Sequence, residues 1–180
     1  MSPPKNIKIV LMGNTGTGKT SLITSFLYGH PVVPKKPILF GAFYKEIEVQ
    51  ETQYKLSLCD TSGSKELIKL QEMTFLDADL LVVCTALNDK TGLKSAEMYA
   101  ESCAKAKVPI LLCLTKADLG SAITRQEIED FVEHHKLNGI VQCSANDSQS
   151  VRQAIERMIE YANLGIVLER GYCRRVFRCC

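Results

Sequence analysis

The sequence predicts an α/β fold in which a mostly parallel sheet carries helices on both faces. Two segments, residues 79–87 and 108–115, are almost wholly apolar, as strands buried on both faces are. Other stretches place apolar residues three and four positions apart, which is typical of amphipathic helices. Because these strands and helices alternate along the chain, right-handed crossovers are expected to join the strands into a parallel sheet.

The first half of the chain contains a predicted hairpin between a helix and a helical turn. Residues 42–50 and 53–60 alternate apolar and polar side chains, which predicts an antiparallel pair with its turn near Glu51 and Thr52. Residues 29–40 hold three of the six prolines and are expected to form a loop. The elements predicted here are strand 6–12, helix 19–28, strands 42–50 and 53–60, and a short helix 65–75.

The second half continues the alternation and ends in a long helix. From residue 151 to residue 162, apolar side chains recur at 3.6-residue spacing. We therefore expect one domain over residues 1–165, followed by a tail over residues 166–180. The elements predicted here are strand 79–87, helix 93–107, strand 108–115, helix 123–135, strand 139–143 and the final helix.

Composition excludes several classes of protein. The 180 residues include 22 basic and 20 acidic side chains, too balanced for a general nucleic-acid binder. Eight cysteines are present without a CxxC pair, so zinc and redox motifs are not indicated. Four of them lie in or at the end of apolar strands and are expected to be buried free thiols, which fits a reducing cytoplasmic compartment. These four are Cys59, Cys84, Cys113 and Cys143.

Residues 13–20 match the phosphate-binding pattern GxxxxGK[ST] between a predicted strand and a predicted helix. Glycines let successive N–H groups turn toward an anion, and the helix N-terminus adds its dipole. The lysine supplies a charge to the terminal phosphates, and the threonine hydroxyl suits Mg²⁺. The predicted phosphate-binding residues are Gly13, Asn14, Thr15, Gly16, Thr17, Gly18, Lys19, Thr20 and Ser21.

Two shorter motifs follow later predicted strands. Asp60 opens the sequence Asp-Thr-Ser-Gly, where it can hold Mg²⁺ together with Thr20 while the Gly63 N–H meets a γ-phosphate. Asp118, in Thr-Lys-Ala-Asp, can accept both hydrogen bonds from the N1–H and amine of guanine, a donor pair that adenine lacks. Each motif alone also fits an ordinary surface turn. The predicted base-binding residues are Thr115, Lys116, Asp118, Ser144, Ala145 and Asn146.

With these motifs in this order, the chain resembles the small GTPases of the Ras superfamily over roughly residues 5–165. The resemblance implies the P-loop NTPase fold, with a six-stranded sheet that has one antiparallel edge strand. It also implies GTP and GDP as ligands, Mg²⁺ as cofactor, and effector and regulator proteins that bind residues 29–43 and 61–76. Lys19 and Gly63 would be the catalytic groups.

Subfamily features are mixed. The sequence Pro-Ile-Leu-Phe at residues 37–40 is similar to a Rho-type segment, and the threonine that opens Thr-Lys-Ala-Asp is also Rho-like. The span from Asp118 to Ser144 is too short for the additional helix of most Rho proteins. The final pair, Cys179 and Cys180, is similar to the Rab ending.

Three departures from the family bear on hydrolysis. Ile38 stands where a threonine would ligate Mg²⁺, and no Thr or Ser occurs between residues 29 and 50. Ser64 stands where a glutamine would orient the attacking water, and Thr15 replaces a frequent glycine beside that water. These departures predict slow GTP hydrolysis, unless displaced loops supply other residues.

The tail predicts membrane attachment. Residues 170–180 contain four arginines and no acid, and they end in Cys179 and Cys180. Such a segment is similar to a doubly prenylated anchor, which would place the protein on the cytosolic face of a membrane. The alternative is a solvated tail with free thiols.

Three functions remain open. One is a slow GTPase that acts as a membrane-anchored switch in vesicle trafficking or cytoskeletal signalling. The alternative is a pseudo-GTPase that holds nucleotide without turnover and recruits partners constitutively. An ATP-using kinase or ATPase is disfavoured by Thr-Lys-Ala-Asp and by the absence of a lid.

Overall fold

A six-stranded sheet organises the chain, as expected. The computed structural model describes residues 3–32 and 39–168, without the side chains of Lys65 and of residues 166–168. The strand order is β2-β3-β1-β4-β5-β6, in which β2 is antiparallel and the other neighbours are parallel. The strands are β1 Lys5–Met12, β2 Phe40–Val49, β3 Thr52–Thr61, β4 Leu80–Ala86, β5 Ile110–Thr115 and β6 Gly139–Gln142.

Five α-helices and three 3₁₀ turns complete the described chain. The segment predicted as a helix over residues 65–75 contains only one α-helical turn between two 3₁₀ turns, so that prediction was too regular. The helices are α1 Lys19–Tyr28, α2 Ile68–Gln71, α3 Gly92–Cys103, α4 Arg125–His134 and α5 Ser148–Leu168, and the 3₁₀ turns are Lys65–Leu67, Glu72–Phe75 and Ala117–Leu119. No described helix has the length and apolar character needed to cross a membrane.

The β2–β3 hairpin turns one residue earlier than predicted. Gln50 and Glu51 have φ values of 47° and 61°, and Thr52 already pairs with Val49. Two left-handed residues form a tight turn whose twist matches that of the flanking strands, which fixes the hairpin register.

The core lies on both faces of the sheet. On one face, Ile23 of α1 and Ile155 of α5 belong to one apolar cluster with Ile9 of β1. On the other, Tyr99 of α3 and Phe131 of α4 belong to a second cluster. Each fully buried side chain of this size contributes about 1.5–3 kcal/mol, so the two clusters hold the sheet rigid. The thiols of Cys59, Cys84 and Cys113 in strands, and of Cys143 directly after β6, are buried and free, as predicted, and so is that of Cys103 in α3.

The sheet gathers the sequence motifs at one edge. β1, β3 and β5 are parallel to the strands beside them in the centre of the sheet, so their carboxyl ends point the same way. The loops after these ends carry the residues that the sequence singles out, at the edge where ligands bind in open α/β sheets.

Candidate functional site

The phosphate-binding loop connects β1 to α1. Gly13, directly after β1, has a φ of 138°, and a Cβ built there would lie 2.3 Å from the carbonyl oxygen of Cys84. Only glycine fits this backbone position. Thr15 and Gly16 at the tip of the loop are exposed, and the Thr15 N–H donates to the carbonyl oxygen of Gly63 at 3.3 Å.

Lys19 fastens the loop from inside. Its Nζ donates to the carbonyl oxygens of Gly13, at 2.7 Å, and Asn14, at 3.0 Å. The side chain is buried, and burial lowers the pKa of Lys19 while the nearby Asp60 opposes that shift. An ammonium group has three donors, so one N–H remains for an anion after the two carbonyls are bound.

Thr115 joins the phosphate loop to the end of β5. Its Oγ1 donates to the carbonyl oxygen of Thr17 and lies 3.1 Å from that of Thr85. Sequence reasoning assigned Thr115 to base recognition, and the structure gives it these contacts to the phosphate loop and to the end of β4.

Thr20 and Asp60 form the candidate metal site. The Thr20 hydroxyl donates to Oδ2 of Asp60 at 2.5 Å, while the buried Oδ1 has no hydrogen-bond partner among the described residues. Burial raises the pKa of Asp60, and the Thr20 hydrogen bond opposes that rise. A buried carboxylate oxygen without a partner beside a hydroxyl fits Mg²⁺, which prefers hard oxygen ligands.

Asp118 is exposed at the same edge, on the 3₁₀ turn after β5. Ser144 donates through its Oγ to Oδ1 of Asp118 at 2.6 Å, and Asn146 donates through Nδ2 to Oδ2 at 3.0 Å. These two hydrogen bonds, that of Ser144 foremost, lower the pKa of Asp118. The carboxylate is therefore ionised at neutral pH and held in one orientation.

The first turn of α5 supports the Ser144 loop. The Ser150 Oγ accepts from the Ser144 N–H at 3.1 Å, and its single proton lies between the carbonyl oxygens of Asp147, at 2.9 Å, and Ser144, at 3.2 Å. Asp147 accepts from the N–H groups of Gln149 and Ser150 as a helix cap. Sequence reasoning missed both residues, although an aspartate just before a predicted helix is a recognisable capping signal.

Gly63 lies directly against the phosphate loop. A Cβ at this position would be 2.0 Å from the backbone nitrogen of Thr15, so only glycine allows the approach. The Gly63 carbonyl oxygen accepts from the Thr15 N–H at 3.3 Å and from the Tyr99 hydroxyl at 2.9 Å. Ser64 follows, with its N–H bound to the Oγ of Ser62 at 3.1 Å.

Gln71 and Tyr99 are site residues that the sequence did not reveal. Gln71 donates through Nε2 to the carbonyl oxygen of Ser62 at 2.6 Å and is buried. Their positions on α2 and α3 carry no motif, and an isolated glutamine or tyrosine in a helix gives no local signal of a contact so far along the chain.

Most of the predicted site residues that the structure describes lie at one edge of the sheet. Ile38, Cys179 and Cys180 lie outside the described residues. A cavity of about 310 Å³ opens beside the phosphate loop, with Lys116 and Asp89 in its walls. The phosphate-binding loop therefore lines a cavity that also reaches Lys116, in the motif that ends in Asp118.

Comparison with known proteins agrees with this arrangement. A family model described as the Ras family matches residues 8–163. The chain belongs to the Ras family. The six-stranded sheet with one antiparallel strand is the P-loop GTPase fold that the resemblance implied.

Several curated relatives of this Ras-family protein carry Rho names. It is 29% identical to the GTP-binding protein RHO4 of Saccharomyces cerevisiae over 87% of this chain and 57% of that protein. It is 30% identical to RHO4 of Eremothecium gossypii over 89% of this chain and 66% of that protein. The GTP-binding protein rho3 of Schizosaccharomyces pombe is 27% identical over 82% of this chain and 78% of its own length. The chain thus spans less than two thirds of the length of either RHO4 protein.

Proposed function

We propose that this Ras-family protein is a small GTPase switch that binds GTP and GDP with Mg²⁺. One observation carries the proposal. Asp118, an exposed carboxylate with both oxygens oriented by neighbouring donors, lies at the same sheet edge as the Lys19 loop. A fixed pair of acceptors matches the N1–H and amine of guanine. Adenine lacks this donor pair, so it would leave the Asp118 oxygens without those hydrogen bonds, and guanine is preferred.

Different residues of the site would bind the phosphates, the Mg²⁺ and the γ-phosphate. Lys19 and the N–H groups of the phosphate loop bind phosphate oxygens, and the α1 N-terminus favours their negative charge. Thr20 and Asp60 would hold Mg²⁺, which supplies positive charge to the phosphate oxygens when it is bound. Gly63, against the tip of the loop, presents its N–H for a γ-phosphate.

Slow hydrolysis follows from Ser64 and its surroundings. A serine is too short to reach both a water and a phosphate, and the next glutamine along the segment, Gln71, is buried with its amide bound to Ser62. Gln71 is therefore not free to replace the missing side chain. Thr15 is exposed beside Gly63, where its side chain crowds an attacking water.

A second candidate function is a pseudo-GTPase that recruits partners constitutively. It is favoured by the contacts that hold Gly63 on the phosphate loop through protein groups alone, at Thr15 and Tyr99. A segment docked in this way changes little when the γ-phosphate is lost. Nucleotide turnover separates this candidate from a slow switch.

Partner binding through residues 29–43 and 61–76 is supported by exposed apolar side chains. Leu39, Phe40, Met73 and Leu76 are 70%, 54%, 65% and 77% exposed. The Ser62 N–H donates to the carbonyl oxygen of Leu39 at 2.9 Å, which joins the two segments. Exposed apolar side chains on two joined segments are typical of protein-binding sites.

The cellular part of the proposal rests on the relatives and on the tail. The relatives are GTP-binding proteins with Rho names, which supports a membrane-anchored switch in vesicle trafficking or cytoskeletal signalling. The arginines and the pair Cys179 and Cys180 support prenylation and attachment to the cytosolic face of a membrane. Mass spectrometry that finds both cysteines unmodified in native material would reject this anchoring.

Identifying the nucleotide carried by the purified protein tests the central proposal. Acid release and chromatography are expected to yield GDP or GTP, and unlabelled GDP is expected to displace a fluorescent GDP analogue far better than ADP does. Recovery of an adenine nucleotide, or equal displacement by GDP and ADP, would refute guanine recognition.

A further inference from the structure

Two side chains outside the nucleotide motifs hold consecutive peptide groups of the segment that ends in Gly63. Gln71 of α2 donates through Nε2 to the carbonyl oxygen of Ser62 at 2.6 Å. Tyr99 of α3 donates through its hydroxyl to the carbonyl oxygen of Gly63 at 2.9 Å and lies 3.3 Å from Oδ1 of Asn14. Both peptide planes that flank Gly63 are therefore fixed from outside the segment.

The Gln71 contact determines where the Gly63 N–H points. The Ser62 carbonyl and the Gly63 N–H belong to one planar trans peptide, in which they point in opposite directions. Holding the carbonyl against Gln71 thus aims the N–H away from α2. Among the described residues, no group accepts a hydrogen bond from this N–H.

The Tyr99 contact fixes the next peptide and its distance from the phosphate loop. The Gly63 carbonyl oxygen accepts from both the Thr15 N–H and the Tyr99 hydroxyl, so the peptide is held between the loop and α3. Burial raises the pKa of Tyr99, which keeps the hydroxyl protonated and able to donate.

Packing alone does not account for Gln71. The side chain is 5% exposed, and its Oε1 is buried without a hydrogen-bond partner among the described residues. A leucine would fill a similar volume without an unsatisfied oxygen, and an unsatisfied buried oxygen costs stability. The hydrogen bond from Nε2 to the Ser62 carbonyl oxygen is therefore the contact that distinguishes the amide from an apolar side chain.

We propose that Gln71 and Tyr99 are positioning residues that aim the Gly63 N–H at the γ-phosphate of a bound guanosine triphosphate. This inference rests on the proposed function and deepens it. The hydrogen bonds of Gln71 and Tyr99 to Ser62 and Gly63 act on the segment that would meet the γ-phosphate, so each side chain is expected to affect the interaction that the triphosphate makes and the diphosphate lacks.

The test compares the affinities of GDP and of a non-hydrolysable guanosine imidotriphosphate, both with Mg²⁺, for the full-length protein. In Gln71→Leu and in Tyr99→Phe, the ratio of triphosphate to diphosphate affinity is expected to fall about tenfold, as one weakened bond to a charged group implies. GDP affinity is expected to remain within about twofold of the parent value, because every contact with GDP is retained.

A matched control loosens the same two helical segments without touching Gly63. Glu72 accepts from Ser102 at 2.8 Å and from Lys105 at 2.7 Å, which joins the end of α2 to α3. Glu72→Ala is expected to leave the affinity ratio unchanged. Thermal melts identify any variant that is poorly folded, and Tyr99→Phe, which removes a single oxygen, keeps the test decisive if Gln71→Leu is not folded.

The outcomes distinguish failure of the proposed function from failure of the positioning role alone. If the parent protein binds neither nucleotide, the proposed function fails and the positioning role fails with it. If the parent binds GDP but both substitutions leave the ratio unchanged, or if Glu72→Ala lowers it equally, the positioning role alone is overturned.

Discussion

Asp118 shows how a single exposed side chain acquires a fixed role. An isolated surface aspartate samples many rotamers, but here Ser144 and Asn146 bind one oxygen each. The carboxylate is thereby oriented before a base binds, so little conformational entropy of this side chain is lost on binding.

Replacing Asp118 by alanine is expected to weaken GDP binding by roughly a hundredfold or more. Two hydrogen bonds to a charged acceptor are lost, each worth about 1.5–3 kcal/mol. Titration with a fluorescent GDP analogue measures the change. Asp89→Ala serves as the control, because Asp89 is also an acidic residue near the loop but binds Thr91. Equal losses in the two variants would show that Asp118 has no special role.

Ser64 and Ile38 are the residues that we expect to limit hydrolysis. Ser64→Gln combined with Ile38→Thr restores a side chain that orients water and a hydroxyl that ligates Mg²⁺. Single-turnover GTP loss is expected to accelerate about a hundredfold or more, the lower end of the typical contribution of a positioned catalytic group. Thr15→Gly added to this pair is expected to increase the rate further. An unchanged rate in the triple variant would place the defect elsewhere.

At the scale of elements, the first turn of α5 acts as a support for base recognition. Ser150 accepts from the Ser144 N–H and lies 3.2 Å from the Ser144 carbonyl oxygen, and Ser144 in turn orients Asp118. The helix thus transmits its rigidity to the loop, although none of its residues reaches the base directly.

Ser150→Ala is therefore expected to weaken GDP binding by about fivefold, since the hydrogen bond from the Ser144 N–H, worth roughly 1 kcal/mol, is lost. Ser148→Ala, an exposed serine in the same turn, is the matched control and is expected to have no effect. A GDP titration of both variants decides the matter, and equal affinities would contradict the supporting role of α5.

Local patterns predicted most elements because the physics behind them is local. The uniformly apolar strands β4 and β5 and the alternation in β2 and β3 follow from burial on two faces or one, which the sequence displays directly. The segment after Gly63 was predicted as one helix, since its apolar spacing does not show the break between helical turns. The break lies where the segment makes longer-range contacts, such as that of Glu72 with Ser102 of α3, which no local pattern encodes.

At the scale of the whole molecule, the sheet edge holds charged groups that are partly removed from water, which lowers the stability of the fold. Burial disfavours the charged forms of both Lys19 and Asp60, lowering the pKa of the first and raising that of the second. A folded protein that keeps such groups buried gains stability when phosphate and Mg²⁺ neutralise them.

Removing nucleotide and Mg²⁺ is therefore expected to lower the melting temperature. Ligand at about a thousand times its dissociation constant stabilises by about 4 kcal/mol, which corresponds to roughly 8–16 °C for a chain of this size. Differential scanning fluorimetry with GDP and Mg²⁺, and then after addition of EDTA, measures the shift. ADP in place of GDP is the control, and equal stabilisation by both nucleotides would contradict guanine selectivity.

The family motifs were readable from the sequence because each follows a strand at a fixed spacing. The phosphate loop, Asp60 and the Asp118 motif all converge as the parallel topology requires. The contacts of Thr115 with Thr17 and Thr85 were not readable, because they depend on how the ends of β4 and β5 meet the loop in space.

The central claim is that this protein binds guanine nucleotide firmly and turns GTP over slowly. Its most direct test loads the purified protein with radiolabelled GTP and follows the conversion to GDP in a single turnover. The test is run with and without an activating protein that accelerates a Rho-type GTPase. The account predicts stable GTP binding, slow conversion and little response to the activator. Rapid conversion stimulated by the activator would contradict it.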